Sequence, residues 1–169
     1  MKLPITCSAT SMAMVCVTML ASSDYVSAYN TQPTHFSNSY ILVQNSQKQA
    51  DDLLTSGNRK FHKKDYAGAI SDFSQSILIS PNFEKAFYNR AVAYDLSGNR
   101  QNAIDDYSQV IKLNPQNISS YFNRAVSKGK NGDQQGALSD LNRVIQIDPN
   151  YVDAYLNRGN LRKESRDSQ

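Results

Sequence analysis

The chain has 169 residues, 40% of them hydrophobic, with 18 Lys and Arg against 15 Asp and Glu for a formal net charge of +3. That length holds one ordinary domain. The small charge, with no block of five or more like charges, gives no reason to expect nucleic acid, and the Lys60, Lys63, Lys64 cluster reads as a solvated helix end.

Met1–Ala28 has the order of a secretory signal: Lys2, an apolar run at Met12–Ala21, then the small-residue exit Val26-Ser27-Ala28. The run is too short to span a hydrocarbon core of ~30 Å unaided. Cleavage is expected after Ala28, or failing that after Ser23. An uncleaved membrane anchor or an irregular start are the alternatives. Cys7 and Cys16 both fall in this segment, so a cleaved chain would be cysteine-free and could form no disulfide. The bulky Ala13-Met14-Val15 ahead of Cys16 does not suit lipid attachment. The expected location is outside the cytoplasm: periplasmic, lumenal or secreted. Residues 29–49 are rich in Asn, Gln, Ser and Thr, a composition that buries too little surface to offset chain entropy. They are expected as a disordered linker.

From Ala50 the chain repeats itself. Pro81, Pro115 and Pro149 recur every 34 residues, as do Ala69, Ala103 and Ala137, and Phe73, Tyr107 and Leu141. A fixed period of this size marks a stacked array. Each period reads as two helices. The first run is near Ala50–Lys63, Glu84–Leu96 and Ile118–Lys130, and the second near Ala67–Ile79, Asn102–Leu113 and Gln135–Ile147. Gly98-Asn99 and Gly132-Asp133 mark the turn inside a repeat, where glycine accepts a left-handed backbone; Lys64-Asp65 is the weaker counterpart. Ser80-Pro81, Asn114-Pro115 and Asp148-Pro149 end each second helix, because proline disfavours helical geometry in the residue before it. In the second helices Ala103, Ile104, Tyr107, Val110 and Ile111 make one apolar face. Val152–Lys163 is a first helix with no second, expected to cap the array, with a truncated larger array as the competing reading, and residues 164–169 read as a polar tail.

With the small-residue row Gly57, Ala91, Ala125, Gly159, these rows make the stretch from Ala50 to about Lys163 resemble the tetratricopeptide repeat family. The resemblance implies an all-α helical solenoid of three helix-turn-helix repeats, 50–83, 84–117 and 118–151, plus the capping helix 152–163. It also implies that first helices line a concave wall, and that the work is non-catalytic binding of an extended peptide or a partner protein. Two rows of the first helices face that wall: Leu54, Tyr88, Phe122, Leu156, and beside it Thr55, Asn89, Asn123, Asn157. Some members of the family hold a peptide backbone with such asparagines, and a primary amide complements a peptide unit because it both donates and accepts. The peptide-binding residues are therefore expected to be Asn89, Asn123, Asn157, Tyr88, Phe122, Leu156 and Asn58. The family's clamp for a chaperone tail is a different site. Asn58 and Asn89 match it, but Leu54, Ser119 and Asn123 stand where it carries basic residues.

No catalytic constellation is evident. His35 and His62 are the only histidines, no phosphate loop or zinc motif occurs, and Asp105 and Asp106 are adjacent on a helix and so point ~100° apart. Neither an enzyme activity, a cofactor, a metal nor a small-molecule substrate is expected, and a membrane only if the N-terminal segment stays. The alternatives to a peptide groove are an assembly scaffold packing through its convex face, or an accessory subunit of an enzyme complex. Finally, Asp72, Asp106 and Asp140 precede Arg90, Arg124 and Arg158 by a constant 18 residues. That offset predicts exposed Asp72–Arg90, Asp106–Arg124 and Asp140–Arg158 pairs across the repeat junctions.

Overall fold

A computed structural model describes residues 34–167; the expected signal segment lies outside them. The described residues form seven helices: α1 (Thr34–His62), α2 (Tyr66–Ile79), α3 (Glu84–Leu96), α4 (Arg100–Leu113), α5 (Ile118–Lys130), α6 (Gln134–Ile147) and α7 (Val152–Asp167). No strand occurs among them. The all-α expectation and the three helix pairs hold. The part of the chain from Gln44 onward is one compact unit, and the packing below belongs to it.

One expectation needs correcting. The disordered linker over 29–49 is, from Thr34 on, the N-terminal half of α1. Its polar side chains are no obstacle to a helix that stays in water, and residues 42–49 are all exposed. Lys48 pairs with Asp52 at 2.9 Å and Gln47 reaches Asp51, both at the i,i+4 spacing that supports an exposed helix.

Turn chemistry follows the rows. Gly98 and Gly132 have φ of 86° and 89°, and Lys64, in the equivalent position, has φ of 62°. In each turn the next amide closes back five residues, Asp65 onto Lys60, Asn99 onto Tyr94 and Asp133 onto Lys128, at 2.8–3.0 Å. Asp65 and Asp133 then cap the second helix by accepting from the amides of Gly68 and Gly136. Ahead of each proline, Ser80, Asn114 and Asp148 donate to the carbonyl four residues back and end the helix.

Each second helix is held between its own first helix and the next. Ala69 and Phe73 of α2 pack against Ala93 of α3, and Ala137, Leu141 and Val144 of α6 against Ala125 of α5 and Ala154 of α7. These residues are buried. Small residues set the spacing. A Cβ placed on Gly57 would lie 2.5 Å from the Phe73 ring, so α1 and α2 touch there as closely as a backbone allows.

The ionic rows pair otherwise than the constant offset predicts. Arg90 grips Asp106 with Nε and Nη2 at 2.7 and 2.8 Å, and Arg124 grips Asp140 in the same way, each within its own repeat. What crosses the junction is the third donor: Nη1 of Arg90 and of Arg124 reaches the Ser74 and the Ser108 hydroxyl at 2.9 Å. Asp72 is not stranded. Ser56 replaces the first arginine, but Lys60, one turn on, lies 2.8 Å from Asp72. Nor are the pairs exposed, since the arginines keep 15–18% and the aspartates 6–7% of their side-chain surface.

Candidate functional site

The first helices α1, α3, α5 and α7 bring the asparagine row onto one side of the array. Asn89, Asn123 and Asn157 each border a separate cleft. The first, between α3 and the start of α5, is lined by Glu84, Lys85, Tyr88, Asn89, Asn117 and Ser119. The second brings Asn123 together with Val92, Asp95, Tyr107 and Lys130. In the third, Asn157 and Leu161 of α7 face Ala125, Val126 and Lys130. Their volumes are about 270, 240 and 310 Å³. Such clefts are at or below the small end for a small-molecule site, and suit the side chains of a peptide better.

The amides are partly engaged. Asn89 donates to Oδ1 of Asn58 at 2.7 Å, and Asn123 to the Tyr88 hydroxyl at 3.0 Å, so both tie one first helix to its predecessor. Asn157 donates only one turn back, to the Asp153 carbonyl at 2.8 Å. A primary amide has two donors and an acceptor oxygen, so one bond does not exhaust it.

The apolar row divides. Tyr88 lines the first cleft and stands edge-on to Tyr107, with ring centroids 5.9 Å apart. Phe122 lines none of the three clefts; it packs on Tyr151 at 5.2 Å beside the α5–α6–α7 core. Leu156 is 59% exposed and also outside them.

Two acids in the clefts are not apparent from the rows taken as rows. Glu84 accepts from the amides of Asn117 at 2.7 Å and Asn114 at 3.2 Å, and Asp95 accepts from the Ser127 hydroxyl at 2.6 Å. Burial, with the Asp95 charge adding to it, pushes the Tyr107 phenol far above its ordinary range, so it stays a neutral donor. Departure from the repeat is the signal that could have found these acids: Glu84 stands where Ile118 and Val152 stand, and Asp95 where Phe61 and Gly129 do. With Lys85 and Lys130 at the rims, the clefts are of mixed charge. Asn89, bonded to Asn58, shares its cleft with Glu84 and with one cation, Lys85, fewer than the ring of cations a terminal carboxylate needs.

Residues 84–117 match the model described as tetratricopeptide repeat, and residues 130–165 a second model of that repeat. No curated protein matches the chain. Among solved structures, the array is similar to the first tetratricopeptide domain of Spaghetti (RPAP3) bound to the HSP90 peptide SRMEEVD. The TM-score is 0.68 at 22% identity, over 71% of this chain and 95% of that one. It is similar as well to the tetratricopeptide domain of Arabidopsis OM64, with a TM-score of 0.66 at 19% identity over 70% and 98% of the two chains. MamA gives 0.68 at 19% over 75% and 74%. At these identities the likeness is one of fold, and the tetratricopeptide solenoid is the fold of this chain.

Proposed function

We propose that the array is a non-catalytic module that binds an extended peptide along the first-helix face, with Asn89, Asn123 and Asn157 meeting its backbone. The observation that supports this reading is that each of the three asparagines borders a cleft: those of Asn89 and Asn123 lie towards opposite ends of the α3–α5 groove, and that of Asn157 lies between α5 and α7. Stacked helix pairs sit roughly 10 Å apart and an extended peptide advances ~3.3 Å per residue, so successive amides would meet about every third residue. Tyr88 offers the first cleft an aromatic wall. Phe122 and Leu156 lie outside the three clefts, and Asn58 acts by orienting Asn89. Glu84 and Asp95 favour a peptide that brings neutral or basic side chains over one ending in acidic residues, although the Spaghetti domain is bound to an acidic peptide of HSP90.

Peptides selected from a random phage-displayed library on the immobilised chain provide the test. Asn157→Ala removes no bond between helices, so it should leave the melting midpoint unchanged while weakening the selected peptides roughly threefold to tenfold, the worth of one net hydrogen bond. Asn89→Ala and Asn123→Ala should weaken them further and also lower the midpoint. Peptides that bind all three variants as they bind the parent place the site elsewhere.

The same proposal sets the protein outside the cytoplasm. Lys2, the apolar run Met12–Ala21 and Val26-Ser27-Ala28 support it. Intact mass of exported material should give an N-terminus at Tyr29, and a mature chain retaining Cys7 and Cys16 rules cleavage out.

A further inference from the structure

A further cleft, of about 500 Å³, shares no residue with the three that the asparagines border, and its lining comes from α5 and α6 alone. Its acceptors are already taken. Asp140 gives one oxygen to Nε of Arg124 and the other to Nη2, and Lys128 lies 3.0 Å away as well. Asn142 faces the Arg158 guanidinium at 2.8 Å; a guanidinium can only donate, so the amide oxygen is the atom turned towards it. Oε1 of Gln146 accepts from Nη1 of Arg143 at a long 3.4 Å.

The donors of the cleft are not taken. Among the described residues no acid forms an ion pair with Arg143, and its bond to Gln146 is the one hydrogen bond it makes there. Its guanidinium is nevertheless held in place, 5.9 Å from the centre of the Tyr121 ring. The Ser139 hydroxyl and the amide nitrogens of Asn142 and Gln146 donate to no group among the described residues. Ser139, Asn142, Arg143 and Gln146 follow one another at i, i+3, i+4 and i+7, so all four lie on one face of α6. Here the chain departs from its repeat. Arg143 stands where Gln109 and Gln75 stand one and two repeats earlier, and Ser139 stands where the preceding repeat has Asp105.

We infer that this cleft binds a phosphate monoester. Its walls offer a guanidinium fork and three neutral donor groups, and its one carboxylate is neutralised by Arg124 and Lys128. The missing counterpart is an anion rich in acceptors. A phosphate monoester brings three oxygens and nearly two charges at neutral pH, against two oxygens and one charge for a carboxylate, so it engages the fork of Arg143 and still has an oxygen for Ser139 or the amides. The volume lies in the range of small-ligand sites and leaves room for more than the phosphate itself.

Titration of the full chain with inorganic phosphate at constant ionic strength, followed by the NMR signals of the arginine Nε–H groups, tests this. The Arg143 signal should move saturably, and acetate should act at least about tenfold more weakly. Arg143→Gln should weaken phosphate at least about tenfold, whereas Lys63→Gln, which removes the same charge from the exposed turn after α1, should change nothing. Should Arg143→Gln disturb the melt, Ser139→Asp is the second variant: the position is exposed, Asp105 shows that the repeat accepts a carboxylate there, and binding should be abolished. A short phosphoserine peptide separates the sources of the group, since binding tighter than that of inorganic phosphate points to a phosphorylated chain and equal binding to a free ester. The inference is overturned by the absence of a saturable shift, by acetate binding as well as phosphate, by an equal loss in Lys63→Gln, or by undiminished binding in Ser139→Asp. The peptide groove is tested separately, because none of these residues borders its clefts.

Discussion

Lys64 carries the clearest local cost in the molecule. It occupies the left-handed turn position that Gly98 and Gly132 fill in the next two repeats, and a side chain there costs about 1–2 kcal/mol. Lys64→Gly removes that strain but gives back part of it through the freer unfolded chain. The net expectation is a gain of about 0.5–1 kcal/mol, seen as a rise in the denaturation midpoint at unchanged slope. Asp72 shows the pH counterpart. Burial raises its carboxyl, but hydrogen bonds from Lys60 and Ser56 and the Lys60 charge outweigh this and hold it below the usual carboxylate range. With the native pKa below the unfolded value of about 3.9, the unfolded state binds more protons in acid. The stabilisation is therefore complete above about pH 5 and is lost as pH falls through the native pKa. Asp72→Asn should lower the midpoint at neutral pH, and the gap to the parent should narrow as pH falls through the lowered native pKa. A gap that stays constant down the series would mean that Lys60 does not hold the charge.

Between helices, the arginine rows turn on which cations share a carboxylate. Asp140 is reached by Arg124 and also by Lys128 at 3.0 Å, whereas Tyr94 occupies the position of Lys128 in the repeat before, leaving Asp106 to Arg90 alone. Removing one partner of a buried pair is costly because it strands the other charge, at about 3–5 kcal/mol for a fully buried one. Arg90→Gln should thus cost roughly 2–4 kcal/mol and Arg124→Gln about half as much, measured by urea unfolding of the two variants. Equal costs would mean that Lys128 gives Asp140 no support. The same rows show where sequence reasoning succeeds and stops. Proline, glycine and the Ala–aromatic rows place the helices to within a residue or two, because each acts on its own backbone. Pairing between helices is set by which side chains share a face, and counting offsets alone overlooked that Lys60 lies one turn from Ser56. The asparagines have the same ambiguity. Their spacing placed them on one face, but that Asn89 and Asn123 would spend a donor on Asn58 and Tyr88 depended on how neighbouring first helices approach. The helical reach of α1 back to Thr34 was not legible because Asn, Gln, Ser and Thr dominate residues 34–49 and their one apolar island, Tyr40–Val43, is short.

At the scale of the array, stability is a chain of near-neighbour contacts: each second helix has one first helix on either side, and first helices are tied to their predecessors through Asn58–Asn89 and Tyr88–Asn123. For α6 the second neighbour is α7, which presses Ala154 onto Ala137, Leu141 and Val144 and lays Leu161 against the same core. Deleting Val152–Gln169 would bare much of that surface. Fully burying an aliphatic side chain is worth ~1.5–3 kcal/mol and a whole domain holds only ~5–15, so the loss should be a few kcal/mol, a fall in the melting midpoint on the order of 10 °C. The loss should also be graded along the chain, as it would be in a one-dimensional array. Hydrogen exchange should quicken first in α5 and α6, while the amides of α2 and α3, whose Phe73–Ala93 contact lies a repeat and more away, keep most of their protection. If exchange rises equally in all the helices, the array unfolds as one unit and α7 supports the whole of it; if the midpoint does not move, α7 is no cap.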